Sequence, residues 1–111
     1  MPSLQELSLA QANDETIDLL VSAGIEPLDL TGATIELILK PTPQTPDEDP
    51  AVTVLTSPDD ITITNAAGGR CTARIPAAAL ASAGRHWWRL DVLRGGDRRT
   101  AMFGPAWVTD L

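Results

Sequence analysis

The 111-residue sequence holds no tyrosine, one phenylalanine, one histidine, one cysteine and, at Lys40, one lysine. Each scarcity removes a class of chemistry. A lone Cys71 can close no intramolecular disulfide and build no multi-cysteine zinc centre; it fits synthesis in a reducing cytosol, where it serves as a small buried hydrophobe rather than a reactive thiol. A lone His86 leaves any histidine-based acid and base scheme with one participant, which strand alternation turns inward between Arg85 and Trp87, so a packed or hydrogen-bonded role is expected. Hydrophobic runs are also short. None reaches the roughly 18 to 20 residues of a membrane-spanning helix, and the N-terminus has no basic head followed by an apolar stretch, so neither a membrane helix nor a signal peptide is expected.

What is present describes an ordinary soluble domain. Hydrophobic residues make up 43% of the chain and charged residues 21%, and a chain of this length buries roughly 65% of its unfolded surface, enough for one core without disulfides or metal. A single domain spanning residues 1–111 is expected. Net charge is −7, which argues against tracking the phosphates of a nucleic acid. The distribution is uneven: residues 1–60 carry twelve acids against Lys40, or −11, whereas residues 61–111 carry seven arginines against Asp91, Asp97 and Asp110, or +4. Such asymmetry either lets strands of the two halves attract within one fold or makes separate patches complementary between neighbouring copies.

Alternation with a period of two runs through most of the chain. Ile17, Leu19 and Val21 mark one strand. Ala33, Ile35, Leu37 and Leu39 mark the inner face of another, with Thr34, Glu36, Ile38 and Lys40 outside. Val52 and Val54, then Ile61 and Ile63, mark two short strands, and Cys71, Ala73 and Ile75 the strand that returns after the turn Asn65–Gly69. His86, Trp88, Leu90 and Val92 alternate with Trp87, Arg89, Asp91 and Leu93; charge on the second set places the first in the core. Gly95-Gly96-Asp97 reads as a hairpin turn, and the last strand, Arg99 to Thr109, is expected to bend at Gly104-Pro105. Leu4, Leu7 and Leu9 are expected to add an edge strand or arm within residues 1–12. Pro76 to Ala83 is the helical candidate, of one or two turns at most. Residues 41–50 hold four of the nine prolines beside Asp47, Glu48 and Asp49, the composition of an exposed, mobile loop. Seven or eight short strands with one short helix near 76–83 predict an all-β, antiparallel, immunoglobulin-like β-sandwich, although a closed barrel shows the same alternation.

Little here can catalyse. Asp47-Glu48-Asp49 and Asp59-Asp60 match no calcium-loop spacing and are expected to be solvated, and Gly68-Gly69 and Gly95-Gly96 open no helix and so cradle no phosphate. No cofactor, no metal and no small-molecule ligand is expected. The tryptophans say more: Trp88 is the natural centre of a sandwich core. Trp87 points outward beside Arg89, either covered by the helical corner or the N-terminal segment, or anchoring another subunit.

Pro27-Leu28-Asp29-Leu30-Thr31-Gly32-Ala33-Thr34, the hairpin from Ile61-Thr62-Ile63-Thr64-Asn65 to Gly69 with Arg70 to Ile75, and Gly84-Arg85-His86-Trp87-Trp88-Arg89-Leu90-Asp91-Val92 together resemble the small β-sandwich domains of tailed-bacteriophage virion proteins. They are similar to the N-terminal domain of baseplate upper proteins and to sandwich proteins of actinobacterial phages and prophages, over residues from about 14 to 109. Where that family shows Gly-x-Tyr, this chain offers Trp87 or Trp88 for the aromatic position. The resemblance implies a non-enzymatic virion component, made in the host bacterial cytoplasm, whose partners are other virion proteins and copies of itself. Outward position and charge make Trp87, Arg89, Arg98, Arg99, Asp47, Glu48 and Asp49 the candidate contact residues. The rival reading is a module that binds a host-surface glycan or a peptide strand.

Overall fold

The computed structural model of the chain describes residues 3–23 and 26–109. Its strands are β1 (Ser3–Leu4), β2 (Leu7–Ala10), β3 (Glu15–Leu20), β4 (Ser22–Ala23), β5 (Glu26–Pro27), β6 (Thr34–Lys40), β7 (Thr53–Thr56), β8 (Ile61–Asn65), β9 (Arg70–Ile75), β10 (Gly84–Arg94) and β11 (Asp97–Thr109). Eight of them run for four residues or more. The larger sheet has the order β1-β11-β10-β6-β7, with β2 also paired to β11; the smaller has the order β3-β9-β8, and β4 and β5 form a separate small hairpin. The two larger sheets face each other as a sandwich, so the barrel alternative falls.

The core is the meeting of two alternations. Ile35, Leu37 and Leu39 of β6, Leu55 of β7, Trp88, Leu90 and Val92 of β10, and Met102, Ala106 and Val108 of β11 pack against Leu19 of β3, Ile61 of β8, and Cys71, Ala73 and Ile75 of β9. Leu30 enters the same cluster from a loop and Leu80 from a short 3₁₀ turn, both fully buried. Every one of these side chains exchanges water contact for close packing, worth about 1.5–3 kcal/mol for a fully buried large aliphatic residue. In β7 the inward residue is Leu55, while Val54 is exposed on the outside.

The helical candidate of one or two turns within 76–83 is a single 3₁₀ turn, Ala77–Leu80, since eight residues with one inward anchor, Leu80, cannot offset the cost of nucleating an α-helix. Three expectations need correction. The sheet is mixed, because β1 and β2 run parallel to β11. The bend in the last strand lies at Ala101: Leu90 pairs with Met102 but Asp91 pairs with Thr100, leaving one extra residue on β11, whereas Gly104 and Pro105 stay in register opposite Trp88 and Trp87. Ile38, on the outward side of β6, is 2% exposed rather than solvated.

The long β10–β11 hairpin turns through Gly95 and Gly96, whose φ values of 58° and 90° are those a two-residue hairpin loop requires. Gly104 answers a different need. Opposite Gly104-Pro105 the N-terminal segment breaks between β1 and β2 at Gln5 and Glu6. There the Gln5 amide donates to the Phe103 carbonyl at 2.9 Å, and the Trp88 indole donates to the Gln5 carbonyl at 3.0 Å. A Cβ on Gly104 would lie 1.9 Å from that same Gln5 oxygen. The central tryptophan thus has its polar edge satisfied by the N-terminal segment, and only glycine lets that segment come close enough.

Gly104→Ala is therefore expected to lift residues 3–10 off the sheet and cost about 3 kcal/mol, seen as a lower thermal midpoint and rapid proteolysis near the N-terminus; an unchanged midpoint would contradict the close approach. Burial pushes the Cys71 thiol up to about 11. At pH 8 a disulfide reagent should accordingly label Cys71 only as fast as the chain unfolds, with the rate rising in urea, and prompt labelling of the native chain would contradict its place in the core.

Candidate functional site

The outward face of the larger sheet gathers most of the residues singled out by sequence. Directly opposed residues share a face, so the register sets out rows running across the strands. One row reads Val54, Ile38, Arg89, Phe103, Leu4; the next reads Glu36, Asp91, Thr100; a third reads Lys40, Trp87, Pro105; a fourth reads Arg85, Trp107, Ser8.

At the centre lies Asp91, which is 0% exposed. Arg89 Nε donates to both of its carboxylate oxygens at 3.1 Å, Arg98 Nη1 donates to Oδ2 at 2.7 Å, and Thr100 Oγ1 donates to Oδ1 at 2.8 Å. A buried carboxylate is tolerated only when paired and fully hydrogen-bonded. The bulge at Ala101 supplies the partners: without the extra residue, Thr100 and Arg98 would face the core instead of Asp91. Arg98 also meets Glu36 Oε1 at 2.9 Å, and Arg89 reaches outward to Asp47 Oδ2 at 2.6 Å.

Asp47 closes the network. Lys40 Nζ lies 2.6 Å from its Oδ1 and donates to the Thr45 carbonyl at 2.8 Å. Hydrogen bonds from Arg89 and then Lys40 hold the Asp47 carboxyl down at about 2. The two carboxylates Asp47 and Asp91 raise the Arg89 guanidinium above its ordinary value, against the opposing effect of burial, which is the largest single influence. Asp91 and Glu36 raise Arg98 likewise. The loop of residues 41–50 is largely exposed and is tied to the sheet through Asp47. Glu48 is exposed in it, and Asp49 accepts the Ala51 amide at 2.9 Å.

Trp87 is half-buried, with the Arg85 guanidinium 4.5 Å from its ring centroid and 5.5 Å from that of Trp107. Its ring is thus covered in part by an arginine of its own strand, neither of the two coverings expected. Arg99 is exposed, and no ion pair engages it among the described residues. The network was not foreseen at Asp91, Glu36, Lys40 and Thr100. The spacing Arg89-x-Asp91 on one strand face is the one signal that pointed to it; the rest depends on pairing between β6 and β10 and on the bulge.

His86 turns to the other side of β10, where its Nε2 lies 2.9 Å from the Ser82 carbonyl oxygen. It borders a cavity of about 330 Å³ lined also by Leu39, Lys40, Pro41 and Ala79. Cys71 sits on the inner face of the smaller sheet and does not reach that cavity. Among the described residues no three His, Cys, Asp or Glu side chains gather to hold a metal, and Asp59-Asp60 stand apart from Asp47–Asp49. The surface instead offers exposed apolar side chains around a set of charges already paired to one another.

No family model matches the sequence, and no curated protein matches it. Among solved structures, the N-terminal domain of phage TP901-1 ORF48 has a similar fold, with a TM-score of 0.68 over 99% of this chain and 91% of that one, at 16% identity.

Removing the carboxylate in Asp91→Ala leaves two guanidinium groups facing each other and should cost about 3 kcal/mol in urea unfolding; Thr100→Val should cost about 1 kcal/mol. A change near zero for Asp91→Ala would mean that the network contributes nothing. Asp47 titrates below the ordinary aspartate value of 3.8, so the tether is complete above about pH 4 and is lost as pH falls toward 2. A carboxyl NMR titration should show a midpoint near 2 for Asp47, moving up toward the ordinary value in Arg89→Gln; a midpoint near 4 in the unaltered chain would contradict the tether.

Proposed function

We propose that the chain is a non-enzymatic structural component of a phage or prophage virion, a tail, neck, baseplate or capsid-surface protein that works through repeated subunit contacts. The observation that carries this reading is the likeness of fold, over nearly the whole of both chains, to the N-terminal domain of a phage protein. The Leu28–Ala33 phrase, the hairpin phrase from Ile61 to Ile75 and the strand phrase from Gly84 to Val92 support it. In this reading the sandwich is a single domain of immunoglobulin-like size, made in the host cytoplasm and carried in the virion. Its partners are copies of itself and other virion proteins, without nucleic acid or membrane. Contact residues are drawn from Trp87, Arg89, Arg98, Arg99, Asp47, Glu48 and Asp49. A glycan-binding module is the weaker reading, because the Arg85 guanidinium lies over the Trp87 ring on which a sugar would stack.

The test is the particle. Mass spectrometry of purified virions from a host carrying the gene should find the protein at a copy number fitting the particle's symmetry, and antibody labelling should place it at the tail, neck or capsid surface. Its absence from intact particles, with the free protein abundant in the lysate, would overturn the proposal. Saturable binding to a glycan array, abolished by Trp87→Ala, would favour the recognition module.

A further inference from the structure

We propose that Arg85, held against the Trp87 and Trp107 rings, is a binding site for a carboxylate carried on an extended, otherwise apolar segment of a partner protein. The inference rests on the reading of the chain as a virion subunit and names one contact and the chemistry of its partner.

An accounting of the arginines isolates this one. Four of the seven find an acceptor for the side chain inside the chain, as Arg89 does on Asp91 and Arg94 on the Asp29 carbonyl. Among the described residues, the side chains of Arg70, Arg85 and Arg99 have neither a hydrogen bond nor an ion pair, although acids outnumber cations fifteen to eight. Of these three only Arg85 is held in place: its guanidinium lies 4.5 Å from the Trp87 ring centroid and 5.5 Å from that of Trp107. A planar guanidinium over an indole keeps its edge of N–H donors turned away from the ring, ready for the two oxygens of a carboxylate. Its motion is already restricted, so pairing orders less at Arg85 than it would at Arg70 or Arg99.

The neighbours leave it open. Asp47 closes the middle of the face by binding Arg89 and Lys40, whereas β6 ends at Lys40, opposite Trp87, and Arg85 lies two residues beyond that row. There Arg85 is exposed and Trp107 is 41% exposed. Glu6, which the register puts beside Pro105, forms no ion pair with Arg85, and neither do Glu48 and Asp49 of the loop. The indole N–H groups of Trp87 and Trp107 also lack an acceptor among the described residues. Three adjoining side chains thus offer donors and no acceptor, which fits an anion.

The form of the partner follows from charge and shape. The chain carries −7 overall, which repels a run of acids at long range, so a single carboxylate is favoured. The open indole beside the fork rewards apolar side chains next to that carboxylate. The guanidinium covers the rings on which a sugar would stack, which turns the site away from an acidic glycan and toward a peptide. An extended segment repeats its side chains on one face at about 6.6 Å, the same spacing that separates Arg85 from Trp87 along β10. A glutamate or aspartate over Arg85 therefore places the next side chain of that face over Trp87.

Two-dimensional NMR on the full, isotope-labelled chain tests this by reading the indole N–H signals, with that of Trp88, bonded to Gln5, as the internal reference. The probe is a capped pentapeptide with one glutamate set among valine and phenylalanine residues. At about 0.15 M salt it should move the Trp87 and Trp107 signals and leave Trp88 in place, and its glutamine counterpart should bind about 10-fold more weakly. Arg85→Gln should weaken the glutamate peptide by about 10-fold or more, and Arg85→Lys, which keeps the charge and loses the planar fork, should weaken it as well. An unmoved Trp88 signal shows that both variants remain folded. No movement at about 5 mM peptide, equal binding of the glutamine peptide, or an Arg85→Gln chain that binds as before would overturn the proposal. Glucuronate or inorganic phosphate binding as tightly as the peptide would overturn it too, by making the site one for acidic sugars or free anions. A chain present in virions that ignores the peptide would leave the structural role standing without this contact, whereas a chain that binds the peptide and is missing from virions would separate the two the other way.

Discussion

The buried side-chain oxygens of Asp91 demand hydrogen-bond partners on a sheet face where they are sealed from water, and that demand constrains four separate parts of the chain. Arg89 must sit two residues before it on the same side of β10. Arg98 and Thr100 must be turned to that side, which requires the extra residue at Ala101. The partner strand β6 must be registered so that Glu36, directly opposite Asp91, can hold the far side of Arg98. The loop after β6 must bring Asp47 back to take the outer edge of Arg89. A shift of one residue in any of these pairings would turn every outward group of the shifted strand toward the core. Buried ion networks are weak sources of net stability, because desolvation cancels much of the attraction. Their effect here is on register: an apolar row such as Val54, Ile38 and Phe103 would tolerate slippage, and the charged row beside it does not.

A second constraint works at the opposite edge of the sheet. The core needs a large aromatic, yet an indole nitrogen cannot be buried unpaired. Trp88 resolves this by donating to Gln5, a main-chain carbonyl 83 residues away in sequence. That requirement draws the N-terminal segment into parallel pairing with β11 and demands glycine at position 104. The same segment then seals the core with Leu7 and Leu9 and leaves Leu4 in the open beside Phe103. Satisfying one polar atom in the core thus extends the larger sheet by its edge strands and enlarges its outward apolar surface.

Much of the architecture was legible because it is written in local alternation. The inward sets Ile35-Leu37-Leu39 and Trp88-Leu90-Val92, the hairpin at Gly95-Gly96 and the turn at Asn65–Gly69 each need only a few neighbouring residues to be recognised. What escaped was set by distant partners. Nothing near Leu7 and Leu9 says that they pair in parallel with residues 106–109. Gly104-Pro105 looks like a bend, yet Gly104 is there for close approach to Gln5, and the true bulge falls at Ala101, whose sequence is unremarkable. Asp91 looked like an ordinary outward charge because its burial depends on Thr100, Arg98 and Glu36 arriving from three directions. The composition of residues 41–50 likewise gives no hint that Lys40 and Arg89 converge on Asp47.

The charge asymmetry along the chain finds its explanation in the same contacts. Acids of the first sixty residues pair with arginines of the remainder in Asp14 with Arg74, Asp47 with Arg89 and Glu36 with Arg98. The two halves therefore attract within one sandwich, and two of these three pairs lie on the outward face of the larger sheet. The consequence is structural: the pairs that offset the acids of the first half also hold β6, β10, β11 and the loop after β6 together, so the charge that separates the two halves in sequence fixes how their strands register in the fold.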